Sequence, residues 1–295
     1  MKKWIKAFRL RTLPLSFASV LVGISLAVFA GKWDGMVSVL VLLTTLFLQI
    51  LSNLANDYGD FIKNTDNEER VGESRSMQSG LIGIGEMKIA ILVFALLSFV
   101  TGISLLLYRL WGLSAHFSLF LLLGLGAILA ALKYTLGKTP YGYKALGDVF
   151  VFLFFGPVAI GGTFFLNTLS FESTILFPAA AMGFFSVAVL NINNMRDIAS
   201  DKKAKKITIP VLWGLQKAKI YHFTLILLAF VFLSIFVLIH HRTYYQALFL
   251  LSIPFHVKIL TFVISKNNKL FDPLLKKTAI GIMITAILFS IGLII

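Results

Sequence analysis

Four polar side chains at the end of one apolar run have the spacing of a single helical face. Asn53, Asn56, Asp57 and Asp60 stand at i, i+3, i+4 and i+7, and the run before them, 36–51, carries no charge. An ionisable residue at the end of a membrane helix is costly unless it meets a partner, so it indicates function. Carboxylate and carboxamide oxygens on one stripe suit a hard cation such as Mg²⁺, which is usually shared with a phosphate.

A second polar stretch closes another apolar run and repeats this pattern. The spacing i, i+4, i+8 is found in Asn56, Asp60 and Asn64, and again in Asn193, Asp197 and Asp201. A repeated acidic helix end predicts an internal duplication, with one such end in each half of the chain. We therefore expect a single domain over 1–295, made of two related halves, about 1–134 and 147–264, and a last helix, 278–295.

The composition excludes several classes of protein. Of the 295 residues, 58% are hydrophobic, and the mean hydropathy of +0.89 predicts a polytopic membrane protein. The chain has no cysteine, which excludes disulfides and thiolate metal sites, and none of its five histidines lies in either acidic stretch, which argues against zinc or haem. The formal net charge of +14 comes from basic clusters between apolar runs, which indicates membrane topology and no nucleic-acid partner.

Nine apolar runs, each near the ~20 residues that cross a bilayer core, predict the architecture. We expect an all-α polytopic integral membrane protein, with nine transmembrane helices in a single bundle in the lipid bilayer and a central cavity capped by cytoplasmic loops. The predicted spans are 13–31, 36–56, 87–108, 115–134, 147–166, 174–194, 221–239, 244–264 and 278–295.

The distribution of basic residues predicts the orientation. With the amino terminus in the cytoplasm, only Lys32, Arg109 and Arg242 of the 27 Lys and Arg residues fall outside. Both acidic stretches then lie on the cytoplasmic face and can share one site. The alternative for the first run is a signal peptide cleaved after Ala30.

Basic residues follow each acidic stretch closely. Arg70 and Arg75 follow the first, and four lysines, at 202, 203, 205 and 206, follow the second. Arginine matches phosphate oxygens bidentately, so this repeated pattern predicts a clamp in which carboxylates hold Mg²⁺ and basic groups hold a diphosphate. The alternatives are membrane-surface charge for each single lysine and helix–helix hydrogen bonding or ion pairing for the acids.

The loop between the fourth and fifth apolar runs is rich in tyrosine, glycine and proline. It includes Tyr134, Lys138, Tyr141 and Asp148, and its Gly and Pro residues predict an ordered, turn-rich cap. Tyrosines at a membrane interface also serve as anchors, so this loop alone does not indicate a function.

The motifs resemble, over essentially the whole chain, those of the UbiA-type intramembrane aromatic prenyltransferases. The two Asp-rich motifs carry this resemblance: Asn53-x-x-Asn56-Asp57-x-x-Asp60 and Asn194-x-x-Asp197-x-x-x-Asp201. Further motifs are similar to the branch that prenylates 1,4-dihydroxy-2-naphthoate in menaquinone synthesis. They are Asn-Asp-Tyr-x-Asp at 56–60, Arg70-Val71-Gly72, Ser79-Gly80, Pro140-Tyr141-Gly142-Tyr143, Leu146-Gly147-Asp148, Phe-Gly-Pro at 155–157 and Asn193-Asn194-x-Arg196-Asp197.

The resemblance implies a reaction. A Mg²⁺-dependent enzyme would transfer a polyprenyl group from a polyprenyl diphosphate to an aromatic acid, 1,4-dihydroxy-2-naphthoate, with loss of diphosphate and CO₂, giving demethylmenaquinone. It would lie in the bacterial plasma membrane with its active-site loops in the cytoplasm. The alternatives are another aromatic acceptor, such as 4-hydroxybenzoate, or a secondary transporter, a different class with similar buried acids. The prenyl chain length and the oligomeric state stay open.

The resemblance also implies roles for individual residues. Catalysis would depend on Asp57, Asp60, Asp197 and Asp201. Metal binding would involve Asn56, Asp57, Asp60, Asn193, Asp197 and Asp201. Diphosphate binding would involve Arg75, Arg196 and Lys206. Contacts with the cap or acceptor would come from Tyr134, Lys138, Tyr141 and Asp148. Asn64 departs from the family, since many members have a third Asp there, and Asp66 is a candidate substitute.

Overall fold

The structure is a computed structural model that describes residues 2–65, 71 and 74–295. The predictions made for Asp66, Arg70 and Gly72 therefore lie outside the described residues. Eight of the described helical segments are long and apolar enough to cross a membrane, and a shorter apolar helix, Leu13–Phe29, adds a ninth. The prediction of an all-helical, polytopic membrane protein is confirmed.

The α-helices of the described residues are joined by connections of different lengths. In chain order they are α1 (Lys2–Phe8), α2 (Leu13–Phe29), α3 (Gly35–Ile62), α4 (Ile84–Leu110), α5 (Ser114–Lys133), α6 (Gly147–Leu153), α7 (Gly162–Thr168), α8 (Leu176–Arg196), α9 (Ile198–Lys203), α10 (Ile209–Ile239), α11 (Ile253–Ser265) and α12 (Asp272–Ile294). A π-helical segment, Phe154–Gly161, joins α6 to α7 into one span, and a 3₁₀ segment, Tyr244–Ser252, precedes α11.

Two spans depart from the prediction for identifiable reasons, one in where it begins and the other in its helix type. α10 begins at Ile209, across a break at Gly214 with φ of 77°, whereas the apolar run begins at 221. Lys219 lies just before that run and its charge predicts a loop, but its buried ammonium donates to the carbonyl oxygens of Ile264 and Lys266 at 3.0 and 2.9 Å. The fifth span is π-helical around Pro157, because proline lacks the N–H that a regular helix needs.

The largest apolar core lies between α2, α8, α10 and α12. Leu26 of α2, Phe185 of α8, Phe236 of α10 and Phe289 of α12 are all buried in it. The first apolar run is therefore a helix of the bundle, and cleavage after Ala30 would remove part of this core.

The helix connections gather at two ends of the bundle. At one, which we call the opposite end, Arg109 donates to the carbonyl oxygens of Leu166 and Asn167, both at 2.7 Å, and the Asn167 side chain accepts from the Asp34 N–H at 3.0 Å.

The other end of the bundle, which we call the acidic end, contains Asp60 and Asp201. Four connections predicted to be cytoplasmic contribute described residues to it. We number them in chain order as the first loop (63–83), the second loop (134–146), the third loop (197–208) and the fourth loop (266–271).

Candidate active site

The first acidic helix end places Asp60 in a ring of donors. Asp60 is buried at 2% exposure. Its Oδ2 accepts from Arg75 Nη1 at 2.6 Å, and its Oδ1 accepts from the Tyr143 hydroxyl at 2.8 Å. Arg75 also donates to the carbonyl oxygen of Asn56 at 3.2 Å. The Asp60 carboxylate is therefore oriented from both sides by residues of two different loops.

Close packing fixes the position of this helix end. A side chain at Gly59 would overlap Thr135, which lies in the second loop. The Thr135 hydroxyl donates to the carbonyl oxygen of Ala55 at 2.9 Å. Glycine is therefore required at 59 for α3 to approach the loop that carries Tyr143.

The second acidic helix end is organised around a buried arginine. Arg196 Nε and Nη2 donate to the two oxygens of Asp197 at 2.8 and 2.6 Å, a bidentate pair. Its Nη2 also donates to the Asn193 side chain at 3.0 Å, and its Nη1 donates to Asp272, at the start of α12, at 2.6 Å. Arg196 is thus enclosed by protein oxygens.

Lys206 interacts with carboxylates from both acidic helix ends. Its ammonium lies 3.5 Å from the carboxylate of Asp201 and 5.4 Å from the centre of the Tyr143 ring. Burial disfavours the charged ammonium, but the carboxylates of Asp60 and Asp201 outweigh burial and hold the pKa of Lys206 above its usual range. Burial raises the pKa of Asp201 to about 6, against the opposing effect of Lys206.

A backbone bridge connects the loops that carry Tyr143 and Lys206. The Ala145 N–H donates to the carbonyl oxygen of Ile207 at 2.8 Å, and the Ile207 N–H donates to that of Tyr143 at 3.2 Å. These two hydrogen bonds hold the second and third loops of the acidic end at a fixed position relative to each other.

A cavity of about 410 Å³ extends from the acidic end into the bundle. Its walls are mostly apolar and include Leu106, Phe120, Phe154 and Val158. Seven of the predicted site residues line it: Asn56, Asp60, Arg75, Tyr134, Tyr141, Asn193 and Lys206. The other six, Asp57, Lys138, Asp148, Arg196, Asp197 and Asp201, are absent from the described lining.

The predicted cap residues divide between three places. Tyr141 lies edge-on to Tyr134, stacks on Phe150 at 4.0 Å between ring centres, and borders the cavity. Burial raises the pKa of Tyr134 to about 12, so its hydroxyl stays protonated. Asp148 accepts from the Tyr221 hydroxyl at 3.1 Å and is not among the described lining residues of the cavity. Lys138 lines a separate surface cavity.

Some residues of the site had no role assigned from the sequence. Tyr143 and Asp272 bind Asp60 and Arg196 directly, and Arg9 and Gln49 line the cavity. Tyr143 stands in the Pro-Tyr-Gly-Tyr motif, which was a usable signal. Asp272 follows the acidic stretches by more than 70 positions in sequence, and no spacing argument links it to them.

The donor set suits Mg²⁺. Among the described residues, no group of three or more His, Cys, Asp and Glu is close enough to hold a metal ion by itself. Mg²⁺ does not need one, because it usually binds one or two carboxylates together with substrate phosphates and water. Asp201 Oδ2 is buried and has no hydrogen-bond partner, so this carboxylate oxygen is available as a metal ligand near the two acidic helix ends.

The chain belongs to the UbiA prenyltransferase family, whose pattern matches residues 16–292. It is therefore an integral membrane prenyltransferase, and the transporter alternative is set aside. The chain is similar to the 1,4-dihydroxy-2-naphthoate octaprenyltransferase of Escherichia coli (strain K12). The two are 40% identical over 291 residues, which is 98% of this chain and 94% of that relative.

Two solved structures share the fold. The apo structure of a UbiA homolog from Aeropyrum pernix K1 matches with a TM-score of 0.71 at 16% identity, over 97% of this chain and 98% of that one. A UbiA homolog from Archaeoglobus fulgidus bound to GPP and Mg²⁺ matches with a TM-score of 0.63 at 18% identity, over 99% of each chain.

Proposed function

We propose that this protein transfers a polyprenyl group from a polyprenyl diphosphate to a ring carbon of 1,4-dihydroxy-2-naphthoate, with release of diphosphate and CO₂, in a Mg²⁺-dependent reaction of menaquinone synthesis. The name of the Escherichia coli relative supports the acceptor. The Archaeoglobus fulgidus homolog, bound to GPP and Mg²⁺, supports the donor class and the metal.

One observation carries the proposal. Lys206 contacts Asp201 and interacts electrostatically with Asp60, so the two acidic helix ends form one charged site. That site lies at the end of a largely apolar cavity. A diphosphate needs charged partners, and the charged site provides them. A prenyl chain needs apolar walls, and the rest of the cavity provides those.

The residues at the site divide into three roles. Asp60, Asp201 and the side-chain oxygens of Asn56 and Asn193 would hold Mg²⁺, which when bound supplies Lewis-acid stabilisation of the leaving diphosphate. Asp57 and Asp197 stay proposed ligands, although, like Asp201, they are not among the described lining residues. Arg75 and Lys206 would bind the diphosphate oxygens. We propose that Arg196, which sequence reasoning assigned to the diphosphate, instead orients Asp197.

The acceptor would lie beside Tyr134 and Tyr141 in the same cavity. These aromatic walls, with Phe154 further in, exclude water from the carbon that is being transferred. Arg9 borders the cavity too, and its positive charge suits the carboxylate of an aromatic acid. No covalent nucleophile is required.

A product assay tests the function. The purified protein is incubated with a polyprenyl diphosphate and either 1,4-dihydroxy-2-naphthoate or 4-hydroxybenzoate, with Mg²⁺ or with EDTA, and products are identified by mass. We expect a decarboxylated product from the naphthoate, and only with Mg²⁺. A product formed only from 4-hydroxybenzoate, with its carboxylate kept, would assign the protein to the neighbouring branch. Turnover in EDTA would refute the metal dependence.

We propose that the acidic end faces the cytoplasm of a bacterial plasma membrane, and that the two halves form one domain. The asymmetry of the basic residues supports the orientation. The chain has no cysteine, so single cysteines can be introduced at the exposed positions Lys203 and His241. A membrane-impermeant thiol reagent added outside should label only the second, and labelling of the first alone would reverse the orientation.

A further inference from the structure

A second cavity, of about 360 Å³, opens at the acidic end beside the candidate active site. Its described lining contains three lysines and no acid, namely Lys63, Lys138, Thr139, Pro140, Tyr143, Lys144 and Ala204. We call this the lysine pocket. The sequence assigned only one of these lysines a role, as a cap or acceptor contact, and the structure places that residue, Lys138, here.

The walls of the lysine pocket come from the same three connections that build the active site. Lys63 follows the last turn of α3, the residues from Lys138 to Lys144 belong to the second loop, and Ala204 follows α9. The Lys63 ammonium donates to the carbonyl oxygen of Gly137 at 3.1 Å, which ties the first wall to the second. The backbone bridge at Ile207 ties the second wall to the third. The pocket is therefore a built feature of the fold.

Tyr143 stands between the lysine pocket and the active site. Its hydroxyl donates to Asp60 at 2.8 Å, while its ring borders the lysine pocket. Two ammonium groups lie near that ring, Lys206 at 5.4 Å and Lys63 at 5.6 Å from its centre. One ammonium group of the active site and one of the lysine pocket thus lie near the same aromatic ring.

No lysine of the lysine pocket forms an ion pair within the described part of the chain. The ion pairs found there involve Lys3, Arg75, Arg109, Arg196 and Lys206, and none involves a lysine of this pocket. Lysine binds phosphate groups as a compact point charge with three donors. Three such groups beside a threonine hydroxyl match an anion with several phosphate oxygens.

We infer that the lysine pocket binds a phosphate-type anion, and that this anion is the inorganic diphosphate released from the adjacent active site. The inference rests on the proposed function only for the identity of the anion. A lipid headgroup phosphate presents the same chemistry. The shared Tyr143 wall favours free diphosphate, because that product is formed on the other side of this residue, next to Arg75 and Lys206.

Calorimetric titration of the full-length protein with sodium diphosphate, in detergent and EDTA, tests the inference. Without Mg²⁺, we expect one diphosphate site in the wild-type protein. The double variant Lys138→Gln/Lys144→Gln should bind it roughly 10- to 100-fold more weakly, because each removed contact joins charged partners. The matched control is Lys202→Gln/Lys203→Gln, which removes the same charge from exposed lysines outside the pocket and should bind like the wild type. Arg75→Gln, in the active site, should also keep this binding.

Three results would overturn the inference: no binding in EDTA, equal weakening in both double variants, or loss of the binding in Arg75→Gln. None of them depends on turnover, so a failed product assay would not affect this measurement. Nanodiscs identify the source of the anion. If phosphatidylglycerol lowers wild-type diphosphate affinity relative to pure phosphatidylcholine, but leaves Lys138→Gln/Lys144→Gln unchanged, the pocket is an anion site that a lipid headgroup occupies.

Discussion

Asp60 and Asp197 end helices from the two halves of the chain, and an arginine binds each carboxylate in a different way. Arg75 takes one oxygen of Asp60 and Tyr143 takes the other. Arg196 takes both oxygens of Asp197 by itself. Asp60 lines the cavity, whereas Asp197 is absent from its described lining.

The difference shows that a repeated spacing does not impose a repeated role. Arg75 comes from a loop and borders the cavity, so a ligand can compete for it. Arg196 is adjacent to Asp197 in sequence, is almost fully buried, and is also bound by Asp272 of α12. We therefore expect a ligand to open the Asp60–Arg75 contact more readily than the Asp197–Arg196 contact.

Removing either carboxylate charge should have the largest effect. Asp60→Asn and Asp197→Asn preserve the side-chain shape but remove the charge that a hard cation needs. We expect turnover to fall by at least about 100-fold in each, comparable to loss of a principal electrostatic contact in an active site. Mg²⁺-dependent turnover and melting temperature are measured together, because each variant also removes one ion pair, that of Arg75 with Asp60 or that of Arg196 with Asp197.

Asp34→Asn is the matched control for both variants. Asp34 lies 4.0 Å from Arg109 at the opposite end of the bundle. Its N-cap role, accepting from the Val37 N–H at 3.0 Å, is one that asparagine can also fill. It should keep normal turnover. Near-normal turnover in Asp60→Asn or Asp197→Asn would refute the proposal that both acidic helix ends contribute to one metal site.

Replacing the two arginines should separate binding from positioning. Arg75→Gln should raise the KM for the polyprenyl diphosphate by roughly 10- to 100-fold, the value of one charge-assisted contact. Arg196→Gln should mainly lower the melting temperature, because a buried ion pair that loses one partner costs about 3–5 kcal/mol. Steady-state kinetics and thermal unfolding distinguish the two. An Arg196→Gln protein of normal stability with a raised KM would make Arg196 a diphosphate ligand, as the sequence predicted.

Tyr143→Phe should have the smallest effect. It removes one hydrogen bond to Asp60 and leaves the bond from Arg75, so we expect kcat/KM to fall by roughly tenfold, equivalent to about 1.5 kcal/mol. Tyr108→Phe serves as control, since that hydroxyl faces Asp34 at the opposite end. If the two variants behave alike, Tyr143 does not orient the Asp60 carboxylate.

Hydropathy predicted the membrane spans found in the described part of the chain, and spacing predicted that Asp60 and Asp201 share an end of the bundle. Hydropathy missed the start of α10, because Lys219 reads as a loop residue until the carbonyl oxygens that accept from it are known. Spacing also could not distinguish Arg75 from Arg196. That distinction depends on Asp272, which reaches Arg196 only through the packing of the last helix.

The backbone bridge between Ala145 and Ile207 has a mechanical consequence. A displacement that lifts Tyr143 from Asp60 must also carry Ile207, and with it the neighbouring Lys206. The Tyr143–Asp60 and Lys206–Asp201 contacts are then lost together. We therefore expect any motion that opens this end to move the second and third loops together, with a barrier that includes both sets of contacts.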